Sequence, residues 1–291
     1  MSSDPERPLP APLRVILVPW NVLMTAACFT MFTWIVHDRH MPGWPAVLDR
    51  ATRGPAVHLA GGTLSAVAVD VLLFALFGLV HAGAARRAVY HLLGDRTGLV
   101  HRQALRTTFM TFTATAWLTL VFFWQPTGLF VWDLRPTLVR AGLDAHRIED
   151  GAHIVSFIFV LLCLGTVVRH GAFRFIGLRQ ILAAPARTDA MGAFVDPGAA
   201  PRPVLLTTGI YGVVRHPMYM YLLAAVVVRP ALSLDLGVWF VCAVAFLLVA
   251  LPLEEEKLIA IFGDAYREYR RRTPAFVPFW PARLTLAARK G

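Results

Sequence analysis

Three polar clusters crowd into the last third of the chain, at spacings that suit the binding of a charged small molecule. The first is Tyr211-Gly-Val-Val-Arg215-His216-Pro217-Met-Tyr219, which leads straight into an apolar run. Pro217 suits the first turn of a helix, where a missing N–H costs nothing. Arg215 and His216 then sit at a helix start, among free backbone N–H groups that favour an anion. The second cluster is Glu254-Glu255-Glu256, where the next apolar run ends. Carboxylates are expensive at a membrane boundary and ordinarily have a partner or a task there. The third runs from Leu258 to Arg272 and is closed by Pro274. Here Leu258, Phe262, Ala265 or Tyr266, and Tyr269 recur at helical spacing, with Gly263 on the packed side and Arg267, Arg270 and Arg271 opposite. Each cluster has a plainer reading: a basic anchor at the boundary, an ion pair of Arg215 with Glu254 or Glu255, and an interfacial helix on anionic headgroups. Together they make an anion-binding helix start, a carboxylate pair and an aromatic wall. That combination suits a zwitterion with an extra cation, whose carboxylate, ammonium and onium centre would each find a partner. S-adenosylmethionine carries those groups.

The elements that must position these residues are membrane spans. Of the 291 residues 57% are hydrophobic and 16% charged, with mean hydropathy +0.58, an apolar excess that must face something other than water. Six apolar runs are long enough for spans or half of a tight hairpin: Leu13–Val36, Gly61–Ala82, Thr107–Trp124, Ala152–Val168, Tyr219–Leu232 and Gly237–Leu253. The first is read as a retained span, because no basic cluster precedes it and no cleavage site follows. Only Ser233 to Leu236 separate the last two, which read as a helical hairpin whose tip carries Arg229-Pro230, the arginine snorkelling to the far headgroups. The expectation is therefore an all-α, polytopic membrane protein of about six transmembrane helices, with a C-terminal helical hairpin and an amphipathic tail helix. Both termini fall on one side, which holds twenty-one of the 28 Lys and Arg, so that side is cytoplasmic. A hairpin returns to the face it left, which brings Glu254 and Glu255 back towards Arg215 and His216.

The net charge of +10 is met by this positive-inside bias and by anionic lipids, so nucleic acid is not an expected partner. Cys28, Cys163 and Cys242 all lie in apolar runs at no metal-like spacing and read as buried thiols. A histidine-rich di-metal oxidase fails on ligands, since His37 and His40 are the one close pair and lie on the opposite side. His81 and His153 read as satisfied polar residues near span ends, and no metal site is expected. Residues 1–12 and 282–291 read as loose ends and Ala183–Pro203 as a surface loop within a single membrane domain.

The pattern Tyr-x-x-x-Arg-His-Pro-x-Tyr, then a hairpin, then Glu-Glu-x-x-Leu-x-x-x-Phe-Gly-x-x-Tyr-x-x-Tyr, resembles the isoprenylcysteine carboxyl methyltransferase and phospholipid methyltransferase superfamily. Its residues here are Tyr211, Arg215, His216, Pro217, Tyr219, Glu254, Glu255, Leu258, Phe262, Gly263, Tyr266 and Tyr269. Upstream, Leu73 to His81, Phe123-Trp-Gln-Pro126, Val131 to Leu134 and Phe175 to Gln180 are most similar to the bacterial methanethiol S-methyltransferase branch. Tyr221 stands where the family usually has Gly. The resemblance implies an S-adenosylmethionine site built from the Arg-His-Pro segment, the Glu pair and the tail helix. Residues 204–281 would then be the methyltransferase core and residues 1–182 a four-span N-terminal part, in an integral protein of a bacterial inner membrane. The acceptor would be a small or lipophilic molecule reaching the methyl group from the membrane, a thiol or a prenylcysteine-like carboxylate. Arg215 with Glu254 or Glu255 would hold the cofactor, Arg179 or Arg215 would favour a thiolate, and His216 is the one obvious general base. The rival reading is a membrane protein that keeps this fold without turnover.

Overall fold

The computed structural model describes residues 9–37, 61–86, 89, 92, 93, 97, 100–182 and 204–278. In chain order they form helices α1 (Ala11–His37), α2 (Thr63–Ala84) and α3 (Leu105–Phe123), strand β1 (Phe130–Asp133), and helices α4 (Arg135–Arg140), α5 (Ala145–Arg169), α6 (Ala172–Ile176) and α7 (Leu178–Leu182). Past the long loop come α8 (Ile210–Val213), α9 (Pro217–Val227), β2 (Ala231–Ser233), α10 (Leu234–Phe262) and α11 (Asp264–Arg272). The Ala183–Pro203 loop lies outside the described residues.

Four of these helices, α1, α2, α5 and α10, are long and apolar enough to cross a membrane. The third and fifth expected spans fall on α3, of 19 residues, and on α9, of 11. At about 1.5 Å per residue α9 covers about 16 Å, roughly half of a hydrocarbon core of about 30 Å. The chain beyond it is not helical, and non-helical backbone at that depth needs hydrogen-bond partners. It finds them in β1, which pairs antiparallel with β2 through Phe130↔Ser233, Trp132↔Leu232 and Asp133↔Ala231. Leu134 N donates to Pro230 O, Leu234 N donates to Leu129 O, and Trp132 Nε1 donates to Arg229 O. This ribbon departs from the all-helical expectation. Arg229 departs with it: it is buried beside the ribbon instead of snorkelling outwards.

Ser233 then caps α10, its hydroxyl accepting from Leu236 N. Asp235 in the first turn is buried and accepts from both N and Oγ1 of Thr127, which ties α10 to the segment entering β1. The core that seats the helices is aromatic and aliphatic: Phe74, Trp117, Leu120, Val226, Leu236, Trp239 and Leu247 form one buried cluster. Asp70, fully buried in α2, accepts from Gln125 N at 2.7 Å and holds the end of α3. Ser156 Oγ donates to Ala225 O at 2.8 Å and pins α9 to α5.

Glycine permits two close approaches along α10. A Cβ on Gly78 would lie 3.0 Å from the Phe246 ring, and one on Gly237 would lie 2.7 Å from Val131 Cγ2. Valine is stiff at χ1, so Val131 cannot swing aside cheaply. Gly237→Ala is therefore expected to cost about 1–3 kcal/mol by overpacking. Thermal unfolding in detergent measures it, and an unshifted transition would reject this packing of ribbon on helix.

Candidate functional site

Helix α10 does not stop at the carboxylates. It runs through Glu254, Glu255 and Leu258 to Phe262 as one 29-residue helix, so the expected tail helix is shorter than its apolar periodicity suggested. The break is Gly263, at φ 59° and ψ −131°, a conformation essentially confined to glycine. From there α11 turns back beneath the end of α10 and lays Tyr266 and Tyr269 inwards.

Successive helical residues point about 100° apart, and this separates the two carboxylates. Glu255 is 1% exposed at its side chain and Glu254 is 28% exposed. Glu255 receives Arg215, whose Nε donates to Oε1 at 2.7 Å, as well as His216 Nε2 at 3.3 Å and the Tyr266 hydroxyl at 3.4 Å. Arg270 Nη1 lies 3.7 Å from Oε2. Glu254 accepts from the Tyr219 hydroxyl at 2.7 Å, and the His216 ring stacks on Tyr219 at 5.6 Å between centroids.

Arg215 does more than pair. Its Nη1 donates to the carbonyls of Arg270 and Thr273, which are among the orphan acceptors at the end of α11. Main-chain bonds reinforce the junction, Arg215 N to Pro274 O at 2.9 Å and His216 N to Ala275 O at 2.8 Å. Nη2 of Arg215 is buried 2.5 Å from Glu255 Oε1 at an angle that makes no hydrogen bond, and has no hydrogen-bond partner among the described residues. Tyr269 donates to Tyr211 O at 2.6 Å, while the Tyr211 hydroxyl and His170 Nε2 lie 2.6 Å apart. Burial pushes the hydroxyls of Tyr266, Tyr269 and Tyr211 above the ordinary tyrosine range, so all three stay protonated donors. Burial, with Arg169 beside it, holds His170 below the usual histidine value.

Of the residues singled out from the sequence, Tyr211, Arg215, His216, Tyr219, Glu254, Glu255, Tyr266 and Tyr269 thus come together through these contacts. Pro217 opens α9 behind His216 as its spacing predicted. Gly263 supplies the turn, and half-buried Phe262 makes none of the polar contacts. Arg179 is exposed on α7 and forms no hydrogen bond or ion pair among the described residues. Sequence reasoning missed His170 and the acceptors at Arg270, Thr273 and Pro274. The available signal was the end of a tail helix, where free carbonyls call for a cation.

The fold and the cluster define an integral helical membrane protein with a polar, largely buried cluster where α8, the start of α9, the end of α10 and α11 meet. No family model matches the chain, and no solved structure matches it. It is 29% identical to methanethiol S-methyltransferase 2 of Bradyrhizobium diazoefficiens over 225 residues, 77% of this chain and 78% of that one. Against the methanethiol S-methyltransferase of Mycobacterium tuberculosis the identity is 27% over 245 residues, 83% of this chain and 86% of that one. Against the protein-S-isoprenylcysteine O-methyltransferase of Schizosaccharomyces pombe it is 31% over 139 residues, 44% of this chain and 54% of that one. The chain is a membrane methyltransferase that resembles the isoprenylcysteine carboxyl methyltransferase and phospholipid methyltransferase superfamily, and within it the methanethiol S-methyltransferase branch.

Proposed function

We propose that the protein is an S-adenosylmethionine-dependent methyltransferase whose donor site is the Arg215–Glu255 cluster, acting on a small or lipophilic acceptor, most readily a thiol. The observation that carries this reading is the convergence of Arg215, His216 and Tyr219 from one segment with Glu254, Glu255 and Tyr266 from another. The groups present fit the donor. Arg215 and His216 bring positive charge and ring N–H groups to the start of α9, Glu254 retains exposure for an ammonium or hydroxyl, and the stacked His216 and Tyr219 rings offer faces to an onium centre. When bound, S-adenosylmethionine supplies an electrophilic methyl group. The chain's own residues orient that group and keep water from the nucleophile, which is most of what an in-line displacement asks of an enzyme. A prenylcysteine-like carboxylate is the second acceptor class, favoured by the Schizosaccharomyces relative. The charge distribution supports a cytoplasmic site in a bacterial inner membrane.

Labelled-methyl transfer by purified protein against thiols, prenylcysteines, phospholipid amines and small natural products tests the acceptor. Glu254→Ala tests the site: Glu254 is half-exposed, so the fold should persist while calorimetric affinity for S-adenosylhomocysteine falls at least about tenfold, the worth of one charge-assisted hydrogen bond. Unchanged affinity would reject the assignment.

A further inference from the structure

The end of α5 and the two short helices after it carry cations that the donor cluster does not use. Between Asp150 and Arg169 α5 holds no Asp, Glu, Lys or Arg, a rise of about 28 Å at 1.5 Å per residue. That matches a hydrocarbon core of about 30 Å, so Arg169 stands where lipid phosphates begin. Arg174 on α6 and Arg179 on α7 follow, each within about 18 Å of the last along the chain. None of the three forms an ion pair or a side-chain hydrogen bond among the described residues, and the sequence places no Asp or Glu between Asp150 and Asp189. The exposed arginines of α11 differ: Arg267 pairs with Asp264, and Arg271 and Arg272 pair with Glu268.

Large apolar side chains stand open among these cations. Val168 is 67% exposed, Phe173 67% and Leu182 57%. Water would solvate the cations but not the apolar groups, whereas the headgroup–acyl boundary of a bilayer satisfies both. The segment is also held in place. Gly171 at φ 91° and Gly177 at φ 95° turn the chain on either side of α6. Three successive carbonyls of α6 are then capped from different elements: Gln180 Nε2 donates to Arg174 O at 3.1 Å, Arg106 Nε to Phe175 O at 2.7 Å and Asn21 Nδ2 to Ile176 O at 2.8 Å. His170, between Arg169 and Gly171, meets the Tyr211 hydroxyl, and the Tyr211 carbonyl accepts from Tyr269. The basic segment therefore touches the wall of the donor cluster through His170.

We propose that Arg169, Arg174 and Arg179 seat the phosphate of an anionic phospholipid of the surrounding bilayer, and that this seat steadies the His170–Tyr211 contact and raises donor affinity. The second half rests on the donor reading above; the first does not. Val168, Phe173 and Leu182 lie against the acyl chains, which is why the occupant is a lipid and not a free phosphate. The headgroup offsets the repulsion among three like charges that the chain itself leaves uncompensated. It thereby favours the arrangement of α5 and α6 that presents His170 to Tyr211.

Delipidated full-length protein in a neutral detergent, titrated with phosphatidylglycerol or phosphatidylcholine and read by native mass spectrometry, tests the seat. One arginine at an anionic surface is worth about fivefold in affinity, so three should favour phosphatidylglycerol by at least about tenfold. Arg169→Gln, Arg174→Gln and Arg179→Gln together should bring that preference below about threefold, and the same change at Arg267, Arg271 and Arg272 should leave it intact. An unchanged preference in the first variant, an equal loss in the second, or displacement of the lipid by an equal concentration of inorganic phosphate overturns the seat. Should the triple variant fail to fold, Arg179→Gln alone should lower the preference by at least about twofold, and no change overturns the seat. Calorimetry with S-adenosylhomocysteine in nanodiscs tests the coupling. Wild-type affinity should be at least about fivefold higher in mixed phosphatidylglycerol and phosphatidylcholine than in phosphatidylcholine alone. His170→Phe should keep the lipid preference and lose this response. Equal wild-type affinity in the two discs, or a full response in His170→Phe, overturns the coupling. Wild-type protein that binds no S-adenosylhomocysteine in either disc overturns the donor reading and the coupling with it, while the lipid titration still decides the seat.

Discussion

Arg215→Ala is expected to destabilise the protein by about 3–5 kcal/mol and to abolish donor binding, the largest effect of any single substitution in the site. The stability loss follows from what remains. Glu255 keeps His216, the Tyr266 hydroxyl and the partly exposed Arg270 at 3.7 Å but loses its one fully buried cation among the described residues, and a carboxylate left under-compensated in a dry environment is costly. The carbonyls of Arg270 and Thr273 lose their donor as well. Thermal unfolding in detergent reads the first effect and calorimetry with S-adenosylhomocysteine the second. A paired Arg215→Met, Glu255→Met variant separates them. Removing both charges should recover much of the stability, because apolar side chains commonly replace a buried pair without loss, but should recover no binding. A single variant within about 0.5 kcal/mol of wild type would show that the pair holds nothing in place.

Gly263→Ala is expected to cost about 1–3 kcal/mol through backbone strain alone. No atom lies within 4 Å of the Cβ it would add, so crowding does not contribute. The conformation at φ 59° and ψ −131° is what lets α11 fold back under α10. A residue that avoids it would continue α10 or turn elsewhere, carrying Tyr266 away from Glu255 and Tyr269 away from the Tyr211 carbonyl. The expected result is a protein that still inserts and purifies, melts lower, and binds the donor at least about tenfold more weakly. Circular dichroism separates loss of helix from loss of binding. Wild-type affinity in this variant would mean that the tyrosines are not held by the turn.

How much of this was readable from residue order differs from element to element. The meeting of Arg215 with the glutamates was readable because topology forces it: a chain that leaves one face and returns must bring its ends together. Which glutamate faces inwards was not, since that depends on the rotation of α10 about its axis, and the run Glu254-Glu255-Glu256 offers every orientation. The long spans were readable from hydropathy. The ribbon was not, because Phe130–Asp133 and Ala231–Ser233 are too short to show a strand period and are paired only through contacts distant in sequence. Arg229 was misplaced for a related reason: snorkelling assumes that the nearest polar surface is lipid headgroups, whereas the backbone there is wrapped by the ribbon. Arg179 looked useful as a cation near the site, yet its short helix presents it outwards.

The main-chain bonds from Arg215 to Pro274 and from His216 to Ala275 bear on how the enzyme comes into being. They join residues that precede α9 and α10 to residues that follow both helices. A nascent chain halted between codons 263 and 273 would already hold the four candidate crossings found among the described residues. That chain could be inserted and retained while the Arg215 junction stayed open, because its main-chain partners at Pro274 and Ala275 would still be missing.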